Sequence, residues 1–291
     1  MEDLTAGSSP GVVVVTGASS GIGLAAAEEL ARRGAELALV GRDEARLAEA
    51  QRRTAALSSA PVEAFRCDFA DLTDVRLLAE RLRDRYARID VLANNAGGTV
   101  HRRSSTVDGF ETTIQTNHLA PFLLSCLLQD RLRGGRIVNT ASGAHMQGRL
   151  NPDDLSSTNQ RYVSLVVYGS AKQANIAFAA EAARRWPDIL STSYHPGVVR
   201  TRFGHGNAMY TLYYRFMPGL RTPAKGAETL VWLATADRAQ LTPGAYYQDL
   251  RVRRPLPRVV DPAFTARLWE ASLAAVGLPA AASPTDYSKE S

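Results

Sequence analysis

The sequence predicts a single α/β domain, a doubly wound parallel sheet of about seven strands with helices on both faces. Three observations carry this expectation. Short β-branched apolar runs alternate with longer amphipathic stretches along most of the chain, the rhythm of strand–helix–strand crossovers. The first such run opens directly into a glycine-rich turn followed by a helical stretch, the context in which closely spaced glycines bring backbone up to a pyrophosphate. The residues able to do chemistry come just after the strands, along the carboxyl edge of the sheet, where ligands of such folds sit.

Val12 to Val15 forms the first strand and leads into Thr16-Gly17-Ala18-Ser19-Ser20-Gly21-Ile22-Gly23. A run of four valines suits a strand buried on both faces. The helix after it spans about Ile22 to Arg33 and stops at Gly34. Its free N-terminal N–H groups and positive dipole end suit an anion. Glu36 to Val40 is the second strand, followed by Gly41-Arg42-Asp43. An acidic residue at this point binds a ribose 2′-hydroxyl, whereas arginine suits a 2′-phosphate. Arg42 stands first, so NADP(H) is expected over NAD(H), with Asp43 next to it as the competing signal. A helix from Glu44 to Leu57, a strand from Pro61 to Cys67 ending in Asp68, a helix from Leu72 to Tyr86 and a strand from Asp90 to Ala93 continue the alternation.

The fourth strand ends in Asn94-Asn95-Ala96-Gly97, and a helix from Gly109 to Leu128 carries Asn117. Arg136 to Thr140 is a fifth strand that delivers Ser142. The next helix holds Tyr168 and Lys172 and runs to about Trp186. Spacing of four places both side chains on one face, one turn apart. An ammonium beside a phenol favours the phenolate, which suits the tyrosine to proton transfer. A sixth strand, Leu190 to Tyr194, ends in His195-Pro196-Gly197. The alternation then breaks over 202–223, a stretch crowded with Phe203, Met209, Tyr210, Leu212, Tyr213, Tyr214, Phe216 and Met217. We read it as a lid over an apolar substrate pocket, with core or subunit contact as the other uses of such a stretch. A helix from Pro223 to Thr235, a short strand from Gly244 to Gln248 and a last helix from Pro262 to Val276 complete one domain over residues 11–279. Residues 1–10 and 280–291 read as flexible ends.

The totals exclude several function classes. The 291 residues carry a net charge of +5, but the arginines are scattered without interleaved aromatics, so no nucleic-acid partner is expected. Arg251, Arg253, Arg254 and Arg258 read as solvated or subunit-contact surface. Cys67 and Cys126 lack disulfide or redox spacing. The five histidines lack metal-ligand spacing; His145 and His195 read as structural or pocket-lining. Met1 to Pro10 lacks the pattern of a signal peptide, and no run reaches the ~20 apolar residues of a membrane span. A cytoplasmic monomer or homodimer without a membrane anchor is expected.

These motifs together resemble the classical short-chain dehydrogenase/reductase family over about Val12 to Gly277. The glycines at 17, 21 and 23, the Asn94-Asn95-Ala96-Gly97 segment, the set Asn117, Ser142, Tyr168 and Lys172, and Pro196-Gly197 with Thr201 carry the likeness. Asn117-His118-Leu119, His195-Pro196-Gly197-Val198-Val199-Arg200-Thr201 and the wide gap from Ser142 to Tyr168 resemble the retinol dehydrogenase-like branch. Ser19-Ser20, where that branch often has Asn-Thr, and Ala141 before the serine depart from it. The resemblance implies a Rossmann-type fold and an NADP(H)-dependent oxidoreductase (a ketoreductase in one direction) that interconverts a carbonyl and an alcohol on a hydrophobic small molecule. It implies Tyr168 as proton donor and acceptor, Ser142 holding the carbonyl oxygen, and Lys172 tuning the phenol and holding the nicotinamide ribose. It implies Asn117 placing a water that links Lys172 to solvent. Gly17, Ser19, Ser20, Gly21, Ile22 and Gly23 would line the pyrophosphate, and Arg42 the 2′-phosphate. Asp68 and Phe69 would meet the adenine, Asn95, Ala96 and Gly97 the adjacent ribose, and Pro196, Gly197, Val199 and Thr201 the nicotinamide end. A regulatory NADP(H)-binding protein that has lost catalysis, or a non-redox tailoring enzyme, would be the alternatives.

Overall fold

The structure is a computed structural model that describes residues 10–199 and 220–280. Arg200, Thr201 and the 202–219 part of the expected lid lie outside the described residues, as do 1–9 and 281–291.

One sheet organises the described chain. Its strands are β1 (Val12–Thr16), β2 (Glu36–Gly41), β3 (Val62–Arg66), β4 (Val91–Asn94), β5 (Arg136–Thr140), β6 (Leu190–His195), β7 (Tyr246–Gln248) and β8 (Arg251–Arg253). Their order is β3-β2-β1-β4-β5-β6-β7-β8. Every pairing is parallel except β7 with β8. The order reverses between β1 and β4, and that reversal opens the crevice in which such sheets take ligands. The eighth strand is the one that sequence reading left out: three residues, two of them arginine and all exposed, carry no apolar signature. Asp249 and Leu250 turn β7 into β8 with φ of 53° and 61°, the left-handed pair a tight hairpin needs.

The helices are α1 (Gly21–Arg32), α2 (Glu44–Ala55), α3 (Leu72–Arg85), α4 (Thr112–Ile114), α5 (Ala120–Leu127), α6 (Ser164–Arg185), α7 (Pro223–Thr235) and α8 (Pro262–Ala275). Side-chain caps set most of the starts. Asp43, Asp71, Thr222 and Asp261 each accept a backbone N–H from the first turn of α2, α3, α7 and α8, which satisfies a donor the helix leaves orphaned.

The alternation of side chains along β1 divides the core. Val14 faces a layer built on Leu78, Leu82, Phe122, Phe178 and Trp269. Val13 and Val15 face Ala26, Leu30, Leu230 and Leu233. Trp269 locks α8 down by edge contacts to Phe122 at 5.0 Å and Trp186 at 4.9 Å. Burying such a side chain contributes roughly 1.5–3 kcal/mol.

The helix expected from Gly109 to Leu128 is broken into three parts. It starts at Thr112, winds as a π-helix over Gln115–Leu119 and resumes as α5. Pro121 has no N–H to give to the preceding turn. Thr116 Oγ1 and Asn117 Nδ2 donate to the carbonyls of Thr112 and Thr113, both at 2.8 Å. Wide turns of this kind often mark functional positions, and this one carries Asn117.

Candidate active site

The carboxyl ends of β1, β4, β5 and β6 bring the predicted residues to one edge. At β1 the chain turns through Gly17 and Gly21, with φ of 68° and 59°. A Cβ on Gly17 would lie 2.9 Å from Ala96 Cα, and one on Gly23 would lie 2.3 Å from the Gly17 carbonyl oxygen. The turn therefore presses its backbone against both the 95–97 segment and its own helix. Thr16, which sequence reading passed over, is the staple. Its Oγ1 donates to the Ala93 carbonyl at 3.0 Å and accepts from Asn95 and Ala96 N–H at 2.9 and 3.0 Å. Asn95 Nδ2 returns a bond to the Thr16 carbonyl at 2.9 Å. A threonine at a strand end, just before a glycine turn, is the only sequence signal of this role.

Helix α1 differs from its capped neighbours. Ser20 occupies the N-cap in extended conformation, makes no side-chain cap bond and is exposed, and the first turn holds no acid. The N–H groups of the first turn are thus left for an anionic ligand, within a backbone cradle that a single added Cβ would fill. Ser19 lies beside the end of β2, 3.4 Å from the position a Gly41 Cβ would take. Arg42 is exposed beyond that strand. Asp43 is occupied as the cap of α2: it accepts from Arg46 N–H at 2.9 Å and pairs with the Arg46 guanidinium at 3.0 Å. Those two bonds hold its carboxyl below the usual range. These features fit a dinucleotide.

Asp68 Oδ1 accepts from the Ala70 N–H at 3.0 Å, and the Asp68 N–H donates to Asp74. Phe69, expected near the adenine, follows directly. It is 6% exposed and packs in the core, while its carbonyl accepts from Gln115. An apolar ring at a strand end is recruited by the core more readily than by a ligand. Ile22 and Val199 both meet Gly226 of α7; a Cβ there would lie 3.2 Å from the first and 2.6 Å from the second. The loop after β6 is held by Arg221, whose N–H donates to the Val198 carbonyl at 2.8 Å. The Arg221 side chain lies against Gly197 and pairs with Asp249. Pro196 is buried in this loop.

Ser142 caps a 3-10 turn (Gly143–Gln147). Its Oγ accepts the Ala144 N–H at 3.2 Å, which leaves the hydroxyl hydrogen to donate elsewhere. The same turn is pressed onto α6, because a Cβ on Gly169 would lie 2.4 Å from the Ala144 carbonyl oxygen. Tyr168, next to that glycine, is half-buried. Lys172 Nζ lies over the Tyr168 ring, 5.3 Å from its centroid, and donates to the Thr140 carbonyl at 3.0 Å. Lys172 is 2% exposed, and burial brings its pKa from 10.5 down to about 7. The cation expected to tune the phenol is therefore itself under pressure to lose its proton. Asn117 Oδ1 is buried without a hydrogen-bond partner, while its Nδ2 donates to Gly98 and Thr113. A Cβ on Gly97 would lie 2.3 Å from that oxygen and 3.5 Å from Lys172 Nζ. Asn117 and Lys172 thus border one small space, and the orphaned acceptor there calls for a polar occupant.

Burial accounts for the two thiols, raising Cys67 to about 12 and Cys126 further. Among the described residues no helix is long and apolar enough to cross a membrane.

Over residues 11–208 the chain matches the family model described as short chain dehydrogenase. A proposed daunorubicin C-13 ketoreductase, DnrU, from Streptomyces sp. (strain C5) is 55% identical over 272 residues, covering 93% of this chain and 94% of that protein. Retinol dehydrogenase 12 from Mus musculus is 35% identical over 277 residues, covering 92% of this chain and 86% of that protein. The solved short-chain dehydrogenase from Sphingobium yanoikuyae in complex with NADPH superposes with a TM-score of 0.62 and 28% identity, covering 76% of this chain and 82% of that one.

Proposed function

Because the chain belongs to the short-chain dehydrogenase family, in a retinol dehydrogenase-like branch, we propose that it is an NADP(H)-dependent reductase of hydrophobic ketones or aldehydes, with Tyr168 moving the proton. The observation that carries this reading is the meeting of Ser142, Tyr168, Lys172 and Asn117 at the carboxyl edge of the sheet, beside a glycine cradle and an uncapped helix start. A dinucleotide held by that cradle would supply the hydride in reduction and accept it in oxidation.

The residues of the chain do the rest. Gly17, Ser19, Ser20, Gly21, Ile22 and Gly23 hold the pyrophosphate against the start of α1. Arg42 takes the 2′-phosphate, since Asp43 is committed to Arg46. The solved NADPH complex in the family supports the same preference. Asn95 to Gly97 meet the ribose on the adenine side and the Pro196–Val199 loop the nicotinamide end, where Thr201, outside the described residues, is also assigned. Ser142 donates its hydroxyl hydrogen to the carbonyl oxygen and stabilises the charge that develops there. Tyr168 delivers a proton to that oxygen, and removes it in the reverse direction. Lys172, held by Thr140, places positive charge on the phenol face, and the Asn117 carbonyl oxygen holds the water through which Lys172 exchanges its proton.

The 55% identity to a protein named for a C-13 ketone directs the substrate class towards ketones on polycyclic aromatic natural products. NADPH consumption against a panel running from small aldehydes through retinal to anthracycline ketones tests this. Turnover should be fastest with the large aromatic ketones and faster with NADPH than NADH. A protein that binds NADPH and turns over no carbonyl of the panel would refute the reading.

A further inference from the structure

One peptide unit at the site is gripped on both sides by imidazoles. The carbonyl oxygen of Ser142 accepts from His145 Nδ1 at 2.8 Å, and from the His145 backbone N–H at 3.1 Å. The N–H of the same peptide, that of Gly143, donates to His195 Nδ1 at 3.2 Å. His195 Nδ1 also accepts the Gly197 N–H at 3.3 Å. A carbonyl oxygen can only accept, so His145 carries its hydrogen on Nδ1; two N–H groups can only donate, so His195 has a bare Nδ1 and its hydrogen on Nε2. The two rings grip one peptide in opposite tautomers. The His195 ring lies close over Gly143, where an added Cβ would stand 3.3 Å from Nε2. His145 is 4% exposed, with its ring edge-on to Tyr246 at 5.2 Å.

We propose that His145 and His195 are positioning residues that lock the Ser142–Gly143 peptide, and through it the Ser142 hydroxyl, in the orientation that holds the substrate oxygen. The inference rests on the reading of Ser142 as the oxygen-holding group. Its reason is geometric. Ser142 is an N-cap in extended conformation, with φ of −163° and ψ of 154°. Rotation of the peptide that follows it would swing the Cα–Cβ bond, and a misplacement of one ångström at a catalytic group costs up to about a hundredfold in rate. His195 also joins this turn to Gly197, so the serine and the loop beside the nicotinamide site move as one body.

His195 must be neutral for the grip as drawn. Protonation of His195 would put a hydrogen on Nδ1, facing two donors, and would break both bonds. Protonation of His145 adds its hydrogen at Nε2 and leaves the donation from Nδ1 intact. The charged and titratable groups that bear on His195 among the described residues are Arg221, Asp249 from the β7–β8 turn, and His145. Tyr246 faces His145. Burial, with Arg221 and His145 adding to it, lowers His195 to about 4, and burial also lowers His145. The neutral pair therefore persists at neutral pH.

The test uses the full-length enzyme with NADPH and para-nitrobenzaldehyde. Asparagine at 195 places an acceptor oxygen near the Nδ1 position, whereas glutamine reaches the Nε2 position and leucine offers neither. His195→Leu and His195→Gln should lower kcat at saturating NADPH by about tenfold or more, and His195→Asn should recover to within about threefold of the wild type. In a Ser142→Ala background, His195→Leu should cost less than about a further twofold, because its effect runs through the missing hydroxyl. Equal activity of the Asn and Leu variants, or a His195→Leu loss that persists undiminished without the serine hydroxyl, would overturn the inference. Wild-type turnover by Ser142→Ala alone would instead overturn the reading of Ser142. Nitrogen NMR of the imidazoles gives a readout independent of activity: Nδ1–H at His145 and Nε2–H at His195. The opposite tautomer at either ring overturns the clamp whatever the kinetics.

Discussion

Replacing Lys172 with methionine should make the ligand-free protein more stable while stopping turnover. Lys172 is 2% exposed, and its Nζ is held by the Thr140 carbonyl at 3.0 Å. Burial takes its pKa from 10.5 to about 7, which sets a ceiling of about 5 kcal/mol against the folded cation. Relaxation lowers that figure, and loss of the Nζ bond costs about 1 kcal/mol. Thr140 is not orphaned by the change, because Asn175 Nδ2 also donates to its carbonyl at 3.0 Å. A gain of about 1–3 kcal/mol at neutral pH remains, read as about 2–4 °C in Tm per kcal/mol. The sign follows from proton binding. Between about 7 and 10.5 the unfolded lysine keeps its proton and the folded one sheds it, so wild-type stability attributable to this group rises with pH across that window. The advantage of methionine is therefore greatest below about pH 7 and fades as the pH passes 10. Denaturant titration of both proteins at several pH values measures it. A methionine variant that is less stable at neutral pH, or whose advantage does not change with pH, would refute the account of a desolvated lysine.

Two further substitutions address the dinucleotide site. Arg42→Ala should weaken NADPH binding by about 10- to 100-fold through loss of a charge-assisted contact, and NADH by less than about twofold; dissociation constants for both cofactors check this, and equal losses would remove Arg42 from 2′-phosphate recognition. Gly23→Ala would drive a methyl group to 2.3 Å from the Gly17 carbonyl oxygen and 2.6 Å from Asn95 Nδ2. It should cost about 1–3 kcal/mol of stability and lose most NADPH affinity, read by thermal melting with and without the cofactor.

Much of this fold is written in local pattern. The valines of β1, the glycines after it and the strand–helix rhythm fix the parallel sheet, because each of these signals lies within a few residues of the structure it specifies. The strand-end positions of the candidate site residues were legible for the same reason, and Tyr168 with Lys172 gained their weight from the ordered motifs around them rather than from helical spacing alone. What escaped depends on contacts between distant segments. β8 is a polar three-residue edge that exists by pairing with β7. The π-helical turn at Asn117 carries side-chain bonds back to the Thr112 and Thr113 carbonyls. The packing of the Phe69 ring into the core is likewise not marked by its place after a strand. Thr16 acts through bonds to backbone atoms, which leave almost no trace in residue type. The lowered pKa of Lys172 is likewise a product of burial that the four-residue spacing alone does not reveal.

In the proposed carbonyl–alcohol exchange, Tyr168 passes the proton. The most direct test of this role is the turnover number of Tyr168→Phe on the panel's best ketone, measured beside its dissociation constant for NADPH. Turnover should fall by at least about a hundredfold, and NADPH affinity should stay within about threefold of the wild type. A variant that keeps more than about a tenth of the turnover would contradict the account, because the proton would then have another source.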